Sequence, residues 1–286
     1  MITFPCCKIN LGLNVIRRRP DGYHDIETVF YPIPLCDALE VKLMNEKYPS
    51  QVNCDLLTKV DRNGVQTVEN LCPEQENLVV KAYNLIAQDY NIPRVHAHLL
   101  KFIPSQAGMG GGSSDAAAMI RLLDERFKLN MGIKRMEQYA ARLGADCAFF
   151  ITSEPAFATG IGDILQPIDN KAKHLEGHWI ALVKPDIAVS TLLAYKAITP
   201  SMPRECCRDT VQRPISEWRG LLTNDFEGPV FAMHPELREI KDKLYNIGAE
   251  FALMSGSGST VFGIFKEEVT NLADAFPGCF TKCLKL

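Results

Sequence analysis

The first stretch of the chain alternates apolar and polar positions with a period of two. "CCKINLGLNVI", from Cys6, has that pattern and predicts a strand. "YHDIETVFYPIPLCDALEVKLM", from Tyr23, continues as strand material, with breaks predicted at Pro32 and Pro34. The period then lengthens. "ENLVVKAYNLIAQDYNI" has its apolar residues at helical spacing, with Asn77 near its start and Pro93 as a stop. "VHAHLLKFIP" returns to strand, and "SSDAAAMIRLLDERFKL" and "KRMEQYAARLG" are amphipathic helices, the second closed by Gly144. "WIALVKP" and "FALMSGSGSTVFGIF" are further strand material, the second interrupted by small residues. Hairpin-like strand runs mixed with helices predict an α+β fold rather than a doubly wound sheet. With no repeat and little change of composition, the expected boundary falls near Ser153–Gly162, giving domains over 1–155 and 156–286.

Composition narrows the function. The 286 residues are 47% hydrophobic and 23% charged, enough to bury a core in two domains. The formal net charge of -3 argues against a nucleic-acid partner. The basic run Arg17-Arg18-Arg19 leads into Pro20-Asp21-Gly22, either as a solvated turn or as a lip that attracts phosphates. Ten cysteines follow no metal-ligand spacing and include no C-x-x-C, so they read as reduced thiols. No charged-then-apolar leader is present, and no apolar run reaches the roughly 20 residues of a membrane span, so the expectation is a cytoplasmic protein with no membrane partner. His174 and His178 have the spacing of zinc ligands on a helix, but Gly177 weakens that helix and no third ligand is near. No metal-binding residue is expected.

"PSQAGMGGGSSDAA", from Pro104, is the strongest chemical signal. Four of the five residues from Gly108 to Gly112 are glycine, between a strand and a helix beginning near Ser113. Glycines let backbone approach an anion, and the first helical N–H groups lack internal partners and face outward. Ser113 and Ser114 add hydroxyls, so the loop is suited to polyphosphate. No lysine follows the glycines as in a P-loop, and the spacing misses G-x-G-x-x-G. The tract Ser255–Thr260 is either a bulged strand packed on another backbone or a second wall of the same site. Lys8 lies in an apolar strand pattern, at an edge or inside a polar site. Asp146, before Cys147-Ala148-Phe149-Phe150, is either a helix cap or a general base with Lys8 opposite it. Tyr23-His24 suits stacking on a planar ring and equally suits plugging a core.

Three segments resemble one family in the right order. "KINLGLNVIRRRPDGYHDIETVF" is similar to the N-terminal signature of the 4-diphosphocytidyl-2-C-methyl-D-erythritol kinases, a family of the GHMP kinase superfamily. "PSQAGMGGGSSDAAA" resembles the superfamily's phosphate loop, and "LMSGSGSTVFGIF" its C-terminal glycine motif. "RRPDGYH" is the specific part, because galactokinases and mevalonate kinases do not usually carry it. The resemblance implies a two-domain GHMP-kinase-like fold, with a ribosomal-protein-S5-like N-terminal domain and a ferredoxin-like C-terminal domain. It implies transfer of the ATP γ-phosphate to the 2-hydroxyl of a cytidine-diphosphate-linked methylerythritol, in the non-mevalonate isoprenoid pathway, by a monomer or homodimer. ATP and Mg2+ are the implied cofactors, with no protein ligand for the metal.

By motif position, Asp146 takes the hydroxyl proton and Lys8 stabilises the developing charge. Pro104, Gly108, Gly110, Gly111, Gly112, Ser113 and Ser114 hold the triphosphate, with Asn77 and Lys101 around the nucleotide. Tyr23 stacks on cytosine, His24 meets its hydrogen-bonding edge, Tyr195 covers its other face, and Asn10 lies near the substrate. Gln106 departs from the family, which usually has a small residue there. The alternatives are another small-molecule GHMP kinase, disfavoured by "PDGYH", and a non-catalytic ATP-binding module, disfavoured by the presence of both Lys8 and Asp146.

Overall fold

The computed structural model describes residues 1–45, 47, 53–62, 65–69 and 71–286. The chain opens with β1 (Ile2–Thr3) and β2 (Cys6–Arg18), and turns at Gly22, φ +88°, into β3 (His24–Cys36). Every residue of β2 from Cys7 to Val15 is buried, so the alternation seen in sequence does not mark one wet face. Both faces are covered, and Lys8, Asn10 and Asn14 must find partners inside. β3 runs through Pro32 and Pro34 without the expected breaks. β8 (Ala156–Thr159) pairs with it only over Thr28–Phe30, so the edge beyond Phe30 admits residues that have no N–H to donate.

β4 (Ala38–Leu43), β5 (Cys54–Arg62) and β6 (Val65–Val68) follow, then α1 (Leu78–Asp89), β7 (Val95–Lys101), α2 (Gly111–Phe127), α3 (Gly132–Ala141) and α4 (Phe149–Thr152). After β8 come β9 (Ile164–Pro167), β10 (Trp179–Lys184), α5 (Thr191–Lys196), α6 (Cys207–Thr210), α7 (Glu227–Met233) and α8 (Pro235–Asn246). The chain closes with β11 (Phe251–Met254), β12 (Val261–Phe265), α9 (Leu272–Ala275) and β13 (Phe280–Lys285). Two compact units result, neither continuous in sequence. One comprises Met1–Cys7, Leu35–Ser105 and Gly110–Ser153, the other Lys8–Pro34, Gln106–Met109 and Glu154–Leu286.

The first unit is a sheet in the order β1-β4-β7-β5-β6, packed with helices. β5 and β7 run parallel, with β6 and α1 in the connection between them, while the other pairs are antiparallel. α1 packs beside α2, burying Val79, Tyr83 and Ile86 from one helix and Ala116, Met119, Ile120 and Leu123 from the other. α2 begins at Gly111, two residues ahead of the position read from the sequence.

The second unit holds two four-stranded sheets, β2-β3-β8-β9 and β11-β12-β10-β13. In the latter, β10, helices, β11, β12, a helix and β13 follow one another with β10 between β12 and β13, which is the ferredoxin-like order. Its core joins Leu13, Val15 and Ile26 of the first hairpin to Val183, Phe226, Val230, Leu237, Leu244, Met254 and Val261. The small-residue tract is not a bulge in one strand. β11 and β12 form a hairpin with Met254 opposite Val261, and Ser255–Thr260 is its loop, closed by Ser255 N–H donating to Thr260 O at 2.9 Å. Among the described residues no helix is long and apolar enough to cross a membrane.

Candidate active site

The glycine loop leaves β7 through Ile103 and Pro104 and takes left-handed backbone at Gln106 (φ +51°), Gly108 (φ +72°) and Gly110 (φ +70°). Within the second unit, residues 106–109 are held on two sides. Lys8 N–H donates to Met109 O at 3.0 Å, and Thr260 N–H donates to Ala107 O at 3.3 Å. The Ser255 hydroxyl donates to Gly108 O at 2.9 Å. A Cβ on Gly108 would stand 2.1 Å from Ser255 O, so this close approach admits glycine alone. The Ser255–Thr260 loop is therefore a wall of the glycine loop.

Lys8 and Asn10 are alternate residues on β2, and their side chains share one side. Lys8 is 3% exposed; its Nζ donates to Asn10 Oδ1 at 2.8 Å and to Gly108 O at 3.4 Å, 4.8 Å from the Phe30 ring centroid. Asn10 Nδ2 donates to Thr28 Oγ1 at 2.9 Å, and Thr28 donates to Gly12 O at 2.5 Å. The lysine thus sits in the polar site rather than at an edge, its head fixed beside the glycine loop. Thr28 is part of this network and is invisible to sequence reasoning, because it is one ordinary strand residue among many.

Tyr23 and His24 are neighbours in sequence whose side chains have different surroundings. Tyr23 is 62% exposed, whereas the His24 ring stacks on Tyr195 with centroids 4.9 Å apart and planes 18° apart. Tyr195 in turn meets Phe226 edge-on at 4.8 Å. Burial, followed by the charge of Arg18, holds His24 below the usual histidine range, favouring a neutral ring. Two of the three arginines pair with carboxylates around the turn: Arg17 with Asp25, and Arg19 with Asp21 at 2.9 Å and Asp25 at 3.4 Å. His174 Nε2 donates to Val211 O (3.0 Å) and His178 pairs with Glu250 (3.3 Å), so the two rings serve separate contacts.

In the first unit, Gly110 is the residue before α2, and its carbonyl accepts Ser114 N–H at 2.9 Å. The N–H groups of Gly111, Gly112 and Ser113 precede that first helical bond and carry the positive end of a 17-residue helix. Gly112 is exposed, Ser113 half-buried and Ser114 buried. Asn77 is the N-cap of α1, its Oδ1 accepting Val79 N–H at 2.9 Å. Asp146, half-buried, lies in the helical turn Ala145–Cys147 just ahead of α4.

Beneath the start of α2 lies a cluster that sequence reasoning reached only through Lys101. The Lys101 ammonium donates to Asp115 Oδ2 at 2.7 Å and to Asp37, all three residues being buried. Asp37 Oδ1 also accepts the N–H groups of Phe102 and Ile103, at 2.6 and 2.8 Å. Burial disfavours the charge on Lys101, but Asp115 and Asp37 outweigh it and hold the ammonium above the usual lysine range. Burial pushes Asp115 up to about 7, with Lys101 pulling it back and Asp37 pushing it further. Asp37 carried a usable signal, being a lone acid between apolar runs, the same signal that marked Asp146.

Among the described residues no group of three His, Cys, Asp or Glu side chains is placed to hold a metal ion. The donors at the start of α2 are backbone N–H groups and the Ser113 hydroxyl, suited to an anion.

Comparison with known proteins gives consistent matches. The family "GHMP kinases N terminal domain" matches residues 77–154, and "GHMP kinases C terminal" matches 207–281. The chain is 48% identical over 287 residues to a 4-diphosphocytidyl-2-C-methyl-D-erythritol kinase of Bacteroides fragilis, covering 100% of both. It is 45% identical to the Parabacteroides distasonis protein of the same name, over 98% of this chain and 97% of that one. A crystal structure of 4-(cytidine 5'-diphospho)-2C-methyl-D-erythritol kinase superposes with a TM-score of 0.76 at 30% identity, covering 100% of both chains. The Methanococcus jannaschii mevalonate kinase superposes at 0.69 with 13% identity, over 100% and 98% of the two chains, a likeness of fold alone.

Proposed function

The chain belongs to the 4-diphosphocytidyl-2-C-methyl-D-erythritol kinase family of the GHMP kinases, and we propose that it transfers the ATP γ-phosphate to the 2-hydroxyl of that cytidylyl substrate. On this reading it works in the cytoplasm, in the non-mevalonate route to isoprenoids, with its N-terminal and C-terminal kinase domains assigned by sequence to residues 1–155 and 156–286. ATP is the phosphoryl donor, and magnesium bound with it would neutralise charge on its phosphates.

The observation that carries the reading is the Gly110–α2 junction, which leaves the first-turn N–H groups of a long helix open directly after the glycine loop. Backbone from Gly108 to Gly112, following Pro104, with Ser113 and Ser114, grips the triphosphate. Asn77 and Lys101 serve the nucleotide through the elements they hold. Asp146 accepts the proton of the acceptor hydroxyl. Lys8, its head aligned by Asn10, places positive charge where the transferring phosphoryl group develops negative charge. Cytosine stacks on Tyr195 in place of His24, with Tyr23 covering the other face, and this frees the neutral His24 ring for the pyrimidine edge.

The test is ADP release measured against a panel of alcohols. Turnover that depends on the cytidylyl substrate supports the assignment. Equal or better turnover with mevalonate, homoserine or galactose sinks it. Asp146→Asn is expected to lower kcat by about 100-fold or more with the KM for ATP little changed; unchanged turnover removes Asp146 from the mechanism.

A further inference from the structure

We propose that Asp37, Lys101 and Asp115 are positioning residues for the nucleotide: a buried ion triad that fixes the backbone of Gly111 so that the first-turn N–H groups of α2 are set before the anion arrives. This rests on reading the glycine loop as the ATP cradle. Three observations carry it. First, the triad touches the cradle from beneath. A Cβ on Gly111 would lie 3.3 Å from the Lys101 ammonium and 2.9 Å from Ile103 Cγ2, so the backbone of Gly111 rests directly on the cluster. Second, one ammonium joins the two ends of the loop. Asp37 holds the chain as it leaves β7, through the N–H groups of Phe102 and Ile103, and Asp115 belongs to the opening turns of α2. Lys101 binds both, so a shift of either end breaks a charged hydrogen bond in a buried place.

Third, the arrangement is poor as plain stabilisation. Asp115 is 2% exposed and its Oδ1 has no hydrogen-bond partner among the described residues, while the next three residues, Ala116–Ala118, are buried with apolar side chains. A carboxylate buried with an idle oxygen costs stability, and two carboxylates on one ammonium leave like charges facing each other. What the triad supplies is geometry. Lys101, bonded twice to carboxylates and 5% exposed, sets the cradle's floor rather than reaching for the phosphates itself.

The experiment titrates a non-hydrolysable ATP analogue with magnesium into the full chain by calorimetry and measures kcat and KM for both substrates, with thermal melting as the fold control. Asp115→Ala is expected to weaken analogue binding and raise the KM for ATP at least about tenfold, leaving the KM for the alcohol within about twofold. Asp115→Asn, which keeps an acceptor for Lys101, is expected to bind within about threefold of the parent. A folded Asp115→Ala protein that binds the analogue as the parent does overturns the inference. Should Asp115→Ala fail to fold, Lys101→Arg decides: the same charge on a broader head against Gly111 is expected to weaken binding about tenfold, and parent-like binding overturns the proposal. If both variants fail to fold, the triad is a folding device and the inference is also overturned. Analogue binding needs no alcohol, so a wrong acceptor assignment leaves this test intact. A parent that binds no analogue overturns the ATP reading and the inference with it.

Discussion

Gly108 shows how much one residue decides. Its φ of +72° and the 2.1 Å that would separate a Cβ from Ser255 O make Gly108→Ala both strained and overpacked. The expected cost is about 3 kcal/mol of stability, read by urea denaturation, with loss of ATP binding. Gln106 shares the left-handed backbone at φ +51°. Its side chain is exposed, so it does not fill the loop. Cys206 is a second residue-scale case. A hydrogen bond from Cys207 pulls its thiol down to about 7 against the effect of burial, whereas burial pushes Cys36 and Cys147 up to about 11 and Cys54 up to about 12. Iodoacetamide at pH 7.5 is expected to label Cys206 ahead of those three, read by peptide mass spectrometry.

At the scale of elements, α2 carries the clearest pH dependence. Asp115 holds its proton to about 7 when folded, above the ordinary carboxyl value near ~3.9. The native state therefore binds more protons than the unfolded chain between those values. The stability this contributes is full at low pH and drains away as pH rises toward 7. The melting temperature of the parent is expected to fall relative to Asp115→Asn across that window; parallel curves would show that Asp115 does not titrate there. The helices and strands themselves were largely legible. α1 with its Asn77 cap, β7, α2 and α3 follow from period, cap and stop signals that act within a few residues. β3 lacks its expected breaks, and the glycine tract was left open between two readings, for one reason. Whether prolines break β3, and whether a glycine tract is a bulge or a hairpin loop, depends on what lies alongside, and no local pattern states that.

At the scale of the molecule, the site's chemistry was legible and its support was not. Glycines, serines, Lys8 and Asp146 announce themselves by being out of place in their patterns. Thr28, Asp37, Asp115 and Asn224 act through partners distant in sequence. Asn224, 3% exposed, donates to Met254 O at 2.7 Å and Gly256 O at 2.8 Å and accepts Phe226 N–H at 3.0 Å, which fixes the hairpin loop that walls Gly108. Asn224→Ala leaves those three groups without their partner. It is expected to cost about 3 kcal/mol by chemical denaturation and to raise the KM for ATP, although the residue lies far along the chain from the glycine loop. A normal KM in a folded variant would separate the hairpin from the cradle.

The hydrogen bond from Ser255 to Gly108 spans 147 positions of sequence. A ribosome that has released the glycine segment still has about half the polypeptide to make before the serine emerges, so a growing chain carries an unfinished anion loop for about half of its synthesis. Competence to take up ATP is thus among the last properties acquired, and a product broken off ahead of that serine keeps the whole phosphate motif without the wall that shapes it.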